Sequence, residues 1–189
     1  MKTIQLGQRL IGDGQACFIV AEAGVNHNGS VAEAKRLIKV ASEANADAVK
    51  FQKRTVEDIL TREALERSYV GPNSYGATYG EHRQKLELSD EAYQELKQYA
   101  EARKIFFLAS AWDIKSAEFL DTLGVPAFKV ASADVTNLPL LERIAHTRKP
   151  VLLSSGMSTL EEIGEALDVI RACHDQVVLL HCVSTYPTE

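Results

Sequence analysis

An α/β fold, a (β/α)8 TIM-type barrel truncated after about six βα units, is what the sequence predicts, on three observations. Short apolar runs rich in β-branched residues alternate with longer amphipathic ones, the pattern of a parallel sheet covered by helices. No GxGxxG follows the first run, which disfavours a doubly wound dinucleotide fold. Nearly every apolar run ends in side chains suited to chemistry, and a barrel gathers its strand C-termini at one mouth, where active sites are built.

The strand candidates, in order, are "CFIVAE" (17–22), "DAVKFQ" (47–52), "IFFLAS" (105–110), "AFKVAS" (127–132), "VLLSSG" (151–156) and "VVLLHCVS" (177–184). Helix signals lie between them. Ser30 with Glu33 reads as a capping box, followed by an apolar stripe of Val31, Ala34, Leu37, Ile38 and Ala41. Ser158 with Glu161 repeats that device, and Asp113 and either Thr136 or Asn137 suit the caps of the two helices between. Residues 53–88 break the rhythm, with one short helix ("VEDILTREALER") and then a Gly- and Tyr-rich stretch. A connection that long reads as a functional lid. The whole of 1–189 reads as a single domain.

Composition narrows the function. With 189 residues, 46% hydrophobic and 25% charged, the chain has apolar mass enough for a core. A formal net charge of −5 without a Lys/Arg block gives no footprint for nucleic acid. No apolar run approaches the roughly 18 residues of a membrane span, and the N-terminus lacks a signal-peptide apolar region. Cys17, Cys173 and Cys182 form no CxxC pair, which suits buried thiols and a cytoplasmic location.

The candidate chemistry sits at the strand ends. Lys50 and Gln52, two apart on a strand, share a face. Lys129 is flanked by apolar residues, so it projects into the mouth or is buried at a cost. Two ammonium groups with several hydroxyls suit a small, highly charged anion such as a phosphorylated carboxylic acid. Glu22 either binds sugar hydroxyls or pairs with one of the lysines. "SSGMSTLEE" offers backbone N–H groups for a phosphate, though such turns are also ordinary connectors. His181 is open to three roles: general acid/base, substrate contact or metal ligand. No second ligand stands at a recognisable spacing, so no metal site is assigned within the chain. His27, His82, His146 and His174 read as turn, lid, helix-end and surface residues.

Taken together, "FIVAEAGVNHNGS", "ANADAVKFQ", "YGATYGEHRQKLELS", "AFKVASADVTNLPLL", "VLLSSGMSTLEEI" and "LLHCVSTYPT" resemble the sialic acid synthase family across nearly the whole chain. That resemblance implies condensation of phosphoenolpyruvate with N-acetylmannosamine or a related amino sugar, or its 6-phosphate, giving a sialic-acid-type nonulosonic acid and phosphate. It assigns Lys50, Ser110, Lys129, Ser132 and Ser154 to phosphoenolpyruvate, and Glu22, Gln52, Asn73 and Tyr186 to the sugar. Glu22, Lys50, Lys129 and His181 are the catalytic candidates. Ser184 stands where some members carry Asn.

The resemblance further implies a homodimer when complete, a divalent metal (Mn2+ or Mg2+) that polarises the sugar aldehyde, and a C-terminal antifreeze-like domain. The SDHT-like and ERHF-like segments that carry the family's metal-binding histidines are not in this sequence, nor is that domain. The expectation is therefore a piece of a longer synthase, inactive alone, with unpaired edges on its first and sixth strands. Two other readings stand beside it: a Schiff-base lysine aldolase on a similar barrel, and a non-catalytic remnant that binds phosphoenolpyruvate.

Overall fold

The computed structural model describes residues 3–187, which divide into two compact units. One comprises residues 19–107. The other joins residues 3–18 to 108–187.

In the unit of residues 19–107, Asp47 sets the starting points of the strands. Its carboxylate accepts from the Ile19 N–H at 2.8 Å, its own N–H donates to the Ile19 carbonyl, and its carbonyl accepts from the Phe106 N–H. These bonds align the starts of β3 (Val20–Gly24), β4 (Ala48–Lys53) and β5 (Phe106–Ala111). β3 and β4 run parallel with Glu22 opposite Lys50, and a register shift follows before Gly24 meets Phe51. Between them α1 (Val31–Glu43) buries Ala34, Ile38 and Ala41, the expected stripe, and Ser30 caps it by accepting from the Glu33 N–H.

The long connection holds more order than its sequence suggests. It carries α2 (Val56–Ile59), α3 (Arg62–Glu66) and α4 (Tyr79–Leu86), where one helix was expected. Thr78 and Glu81 form a complete capping box for α4. α5 (Asp90–Ala102) then packs against α1. Under it lie Phe51 stacked on Phe107 and Tyr93 edge-on to Phe107, all buried, with the Tyr93 hydroxyl donating to the Gln52 carbonyl.

β5 begins in that unit and ends in the other, where it pairs with β6 (Phe128–Val130), then β7 (Val151–Ser154) and β8 (Val177–Leu180), all parallel. The helices between are α6 (Ile114–Leu123), α7 (Leu138–Ala145) and α8 (Leu160–Arg171), with a 3-10 turn at Ser132–Asp134. Asp113 and Asn137 cap as expected. The α8 cap is Thr159 with Glu162, one residue beyond the expected Ser158 and Glu161, because both pairs satisfy the same spacing. β5 to β7 are almost wholly buried. β8 is half-exposed and, among the described residues, pairs with β7 alone.

A hairpin of β1 (Thr3–Leu6) and β2 (Arg9–Gly12), turning at Gly7-Gln8, was not foreseen. Its Leu6 is fully buried. The thiols also differ from expectation: Cys17 is exposed, and Cys173 and Cys182 are half-buried.

Two glycines separate backbone strain from steric overlap. Gly29 has φ +76°, and a Cβ there would stand 2.2 Å from the Lys85 carbonyl oxygen. Gly14 has φ +74° with open space around it. Gly14→Ala should cost about 1–2 kcal/mol of left-handed strain. Gly29→Ala should cost clearly more, about 3 kcal/mol or above, measured as the shift in urea unfolding.

Candidate functional site

The unit of residues 19–107 presents one polar group at its strand ends. The Lys50 ammonium lies 2.6 Å from the Glu22 carboxylate, the lysine side chain 10% exposed and the glutamate 53%. Gly24 makes room for this group. A Cβ there would come within 3.2 Å of Glu22 Oε1 and 3.5 Å of the Gln52 side-chain nitrogen. Of the two roles left open for Glu22, pairing with a lysine is the one the structure shows.

Behind that group lies a buried cluster that the sequence did not single out. His27 is 1% exposed and its ring packs on Phe51 at 5.9 Å between centroids. Its Nδ1 accepts from the Gly29 N–H at 3.1 Å, while Nε2 is buried without a hydrogen-bond partner. The buried guanidinium of Arg54 donates to Glu87 at 2.8 Å. Burial raises the Glu87 pKa above the ordinary carboxylate value, against the pull of Arg54. Burial, reinforced by the Arg54 charge, lowers the His27 pKa from 6.5 to about 4. His27 had been read as a turn residue alone. Its burial near an arginine charge is visible only in three dimensions.

The lid closes on itself. Ser68 bridges Thr78, the Tyr69 N–H donates to the Ala77 carbonyl, and the Ser74 hydroxyl donates to the Tyr69 carbonyl. Tyr69, Tyr75 and Tyr79 surround the His82 ring, whose Nδ1 accepts from the Tyr75 N–H. Burial and then the Arg83 charge lower the His82 pKa. Asn73 sits on the exposed tip of this loop.

In the other unit the centre is Lys129, 8% exposed, whose ammonium donates to the Val130 carbonyl. Register sets it beside the buried Ser110. Further along, the Ser132 hydroxyl accepts from the Gly156 N–H at 3.0 Å. A Cβ on Gly156 would overlap the Ser184 hydroxyl at 2.1 Å and crowd the Ser132 hydroxyl at 2.9 Å. The two hydroxyls thus meet on a bare stretch of backbone just past Ser154, itself buried at the end of β7. Ser184 has φ +36°, a region that asparagine tolerates better than serine.

Asp134 is a second residue not singled out beforehand. It is buried, Oδ1 accepts from Asn137, Oδ2 has no hydrogen-bond partner, and burial foremost raises its pKa. His181 and Tyr186 lie beyond β8 and outside these groups. His181 is exposed and Tyr186 is 92% exposed.

Residues 37–189 match the sequence profile of the NeuB family. The chain is 43% identical to the human N-acetylneuraminate-9-phosphate synthase over 181 residues, which is 96% of this chain and 50% of that protein. It is 38% identical to the N,N'-diacetyllegionaminic acid synthase of Legionella pneumophila, covering 94% of this chain and 52% of that protein. The crystal structure of the N-acetylneuraminic acid synthetase of Leptospira borgpetersenii superposes with a TM-score of 0.86 at 32% identity, over all of this chain and 61% of that one. The fold is thus of the TIM-barrel type. The chain spans about half the length of the curated relatives it matches.

His27 makes acid stability testable. As pH falls from 6.5 towards 4, the unfolded chain takes up a proton at this residue before the folded chain does. Its contribution is therefore complete above about 6.5 and lost by about 4, on the order of 3 kcal/mol in all. Urea titrations of the wild type and His27→Asn at pH 7 and pH 4 should show the wild type losing that much more than the variant.

Proposed function

This chain belongs to the NeuB family, and on that premise we propose that it carries the substrate-holding strand ends of a nonulosonic acid synthase, which condenses phosphoenolpyruvate with N-acetylmannosamine or a related amino sugar, or its 6-phosphate. The observation that carries the reading is Lys129, a buried ammonium at a strand end, in register with Ser110 and followed by the hydroxyls of Ser132 and Ser154. A fixed cation among hydroxyl donors suits the phosphate and carboxylate of phosphoenolpyruvate.

In this reading the family resemblance assigns Lys129, Ser110, Ser132 and Ser154 of one unit, and Lys50 of the other, to phosphoenolpyruvate. Glu22 and Gln52 accept from and donate to the sugar hydroxyls and amide. C3 of phosphoenolpyruvate attacks the aldehyde carbon of the open-chain sugar, water adds at C2, and the tetrahedral intermediate expels phosphate. The residues act by orienting the two substrates, a positioning effect. Asn73 and Tyr186, both exposed, are the sugar contacts with least support from the geometry.

A divalent metal would polarise the aldehyde as a Lewis acid. Among the described residues no group of three or more His, Cys, Asp or Glu is arranged to hold one. The Schiff-base alternative needs a neutral lysine. Lys50 sits on the Glu22 carboxylate and Lys129 on a backbone carbonyl, contacts that a Schiff base at either nitrogen would have to break.

Calorimetry tests the reading. The 189-residue chain should bind phosphoenolpyruvate, and Lys129→Met should weaken that binding at least tenfold, whereas Lys39→Met on the exposed face of α1 should leave it unchanged. Equal affinity in the wild type and Lys129→Met would remove the assignment. Borohydride trapping of a carbonyl substrate on Lys50 or Lys129 would favour the aldolase instead.

A further inference from the structure

We propose that His27 is a positioning residue: its imidazole holds the turn after β3 in the shape that keeps Glu22 against Lys50. Four hydrogen bonds close that turn. Three are backbone bonds, Asn26 N–H to Ala23, Asn28 N–H to Val25 and Ser30 N–H to His27. The fourth, from the Gly29 N–H, ends on His27 Nδ1. A side-chain acceptor reaching two residues forward is the arrangement an asparagine makes in an Asx-turn, here made by a ring.

The ring does a second thing that an asparagine does not. It lies on Phe51, the residue between Lys50 and Gln52. The same turn is seated on the end of α4, where Gly29 stands too close to the Lys85 carbonyl to carry a Cβ. Arg54, close enough to the ring for its charge to be felt there, is fixed by Glu87 just past that helix. His27 therefore meets two pieces of chain, the turn behind Glu22 and the strand that carries Lys50 and Gln52, while its neighbour Gly29 is packed on the end of α4. Leucine would fill the space but leave the Gly29 N–H without its acceptor.

The relevance to catalysis rests on the reading above that Glu22 and Lys50 face substrate. The geometry and its test do not. Amine acylation of the native chain, quantified by mass spectrometry, reports how well the Glu22–Lys50 contact protects the Lys50 amine, with Lys129 as the internal reference.

Asparagine keeps the forward acceptor, whereas glutamine and leucine do not. His27→Leu and His27→Gln should raise the Lys50 rate at least fivefold with the Lys129 rate unchanged, and His27→Asn should stay within twofold of the wild type. Equal Lys50 rates in the Asn and Gln variants would overturn the proposal, as would Lys129 rates that rise in step with those of Lys50. Should His27→Leu fail to fold, the Asn–Gln contrast still decides. N-acetylmannosamine binding, measured alongside, should weaken in the Gln variant. A wild type that binds no sugar while the acylation pattern holds would sink the functional reading and leave the positioning role standing.

Discussion

Parallel pairing in matched register is the constraint on which the candidate site depends. In such a sheet all strands point the same way, so their C-terminal residues emerge on one side, and side-chain direction alternates with a period of two. Asp47 starts β3, β4 and β5 together through bonds to Ile19 and Phe106, and counting forward then puts Glu22 opposite Lys50. The same counting puts Ser110 opposite Lys129 in the other unit. A slip of one residue at either pairing would turn these side chains to the opposite face and bury the wrong ones.

Both lysines have partners close by. The Lys50 ammonium sits on the Glu22 carboxylate, and Lys129 on a backbone carbonyl. Neither contact is permanent in kind. A carboxylate half open to water and a backbone carbonyl are partners that a polyanionic ligand can replace with stronger, charge-assisted bonds. The cluster of His27, Arg54 and Glu87 is of another sort: His27 and Arg54 are buried, Glu87 is half-buried against Arg54, and His27 accepts from a backbone N–H.

The six parallel strands and the caps at Ser30, Asp113 and Asn137 were legible because periodicity and capping are local properties of a chain. The glutamate and lysines were legible for a related reason, as charged groups inside apolar runs. What escaped was either weakly patterned or not local. The hairpin strands TIQL and RLIG are four residues each, too short for alternation to stand out. Helix α4 (YGEHRQKL) has hardly an apolar residue to mark a face. Ser132, His181 and Ser184 fall past strand ends that sequence extends too far, since apolar character continues after pairing stops. His27 and Asp134 owe their interest to burial, and burial is a property of neighbours from elsewhere in the chain.

The bridge between Ser68 and Thr78, with His82 gripped by three tyrosines, divides the long connection into a braced stem and a free tip at residues 70–73. Lengthening a loop beyond a pinned stem adds closure entropy only slowly. Insertions, deletions and charge changes at the tip therefore leave the strand that carries Lys50 untouched. Such a stem works as a graft point: a scaffold of this design can trade one tip for another and present a different surface to solvent while the paired strands of the stem's own unit stay the same.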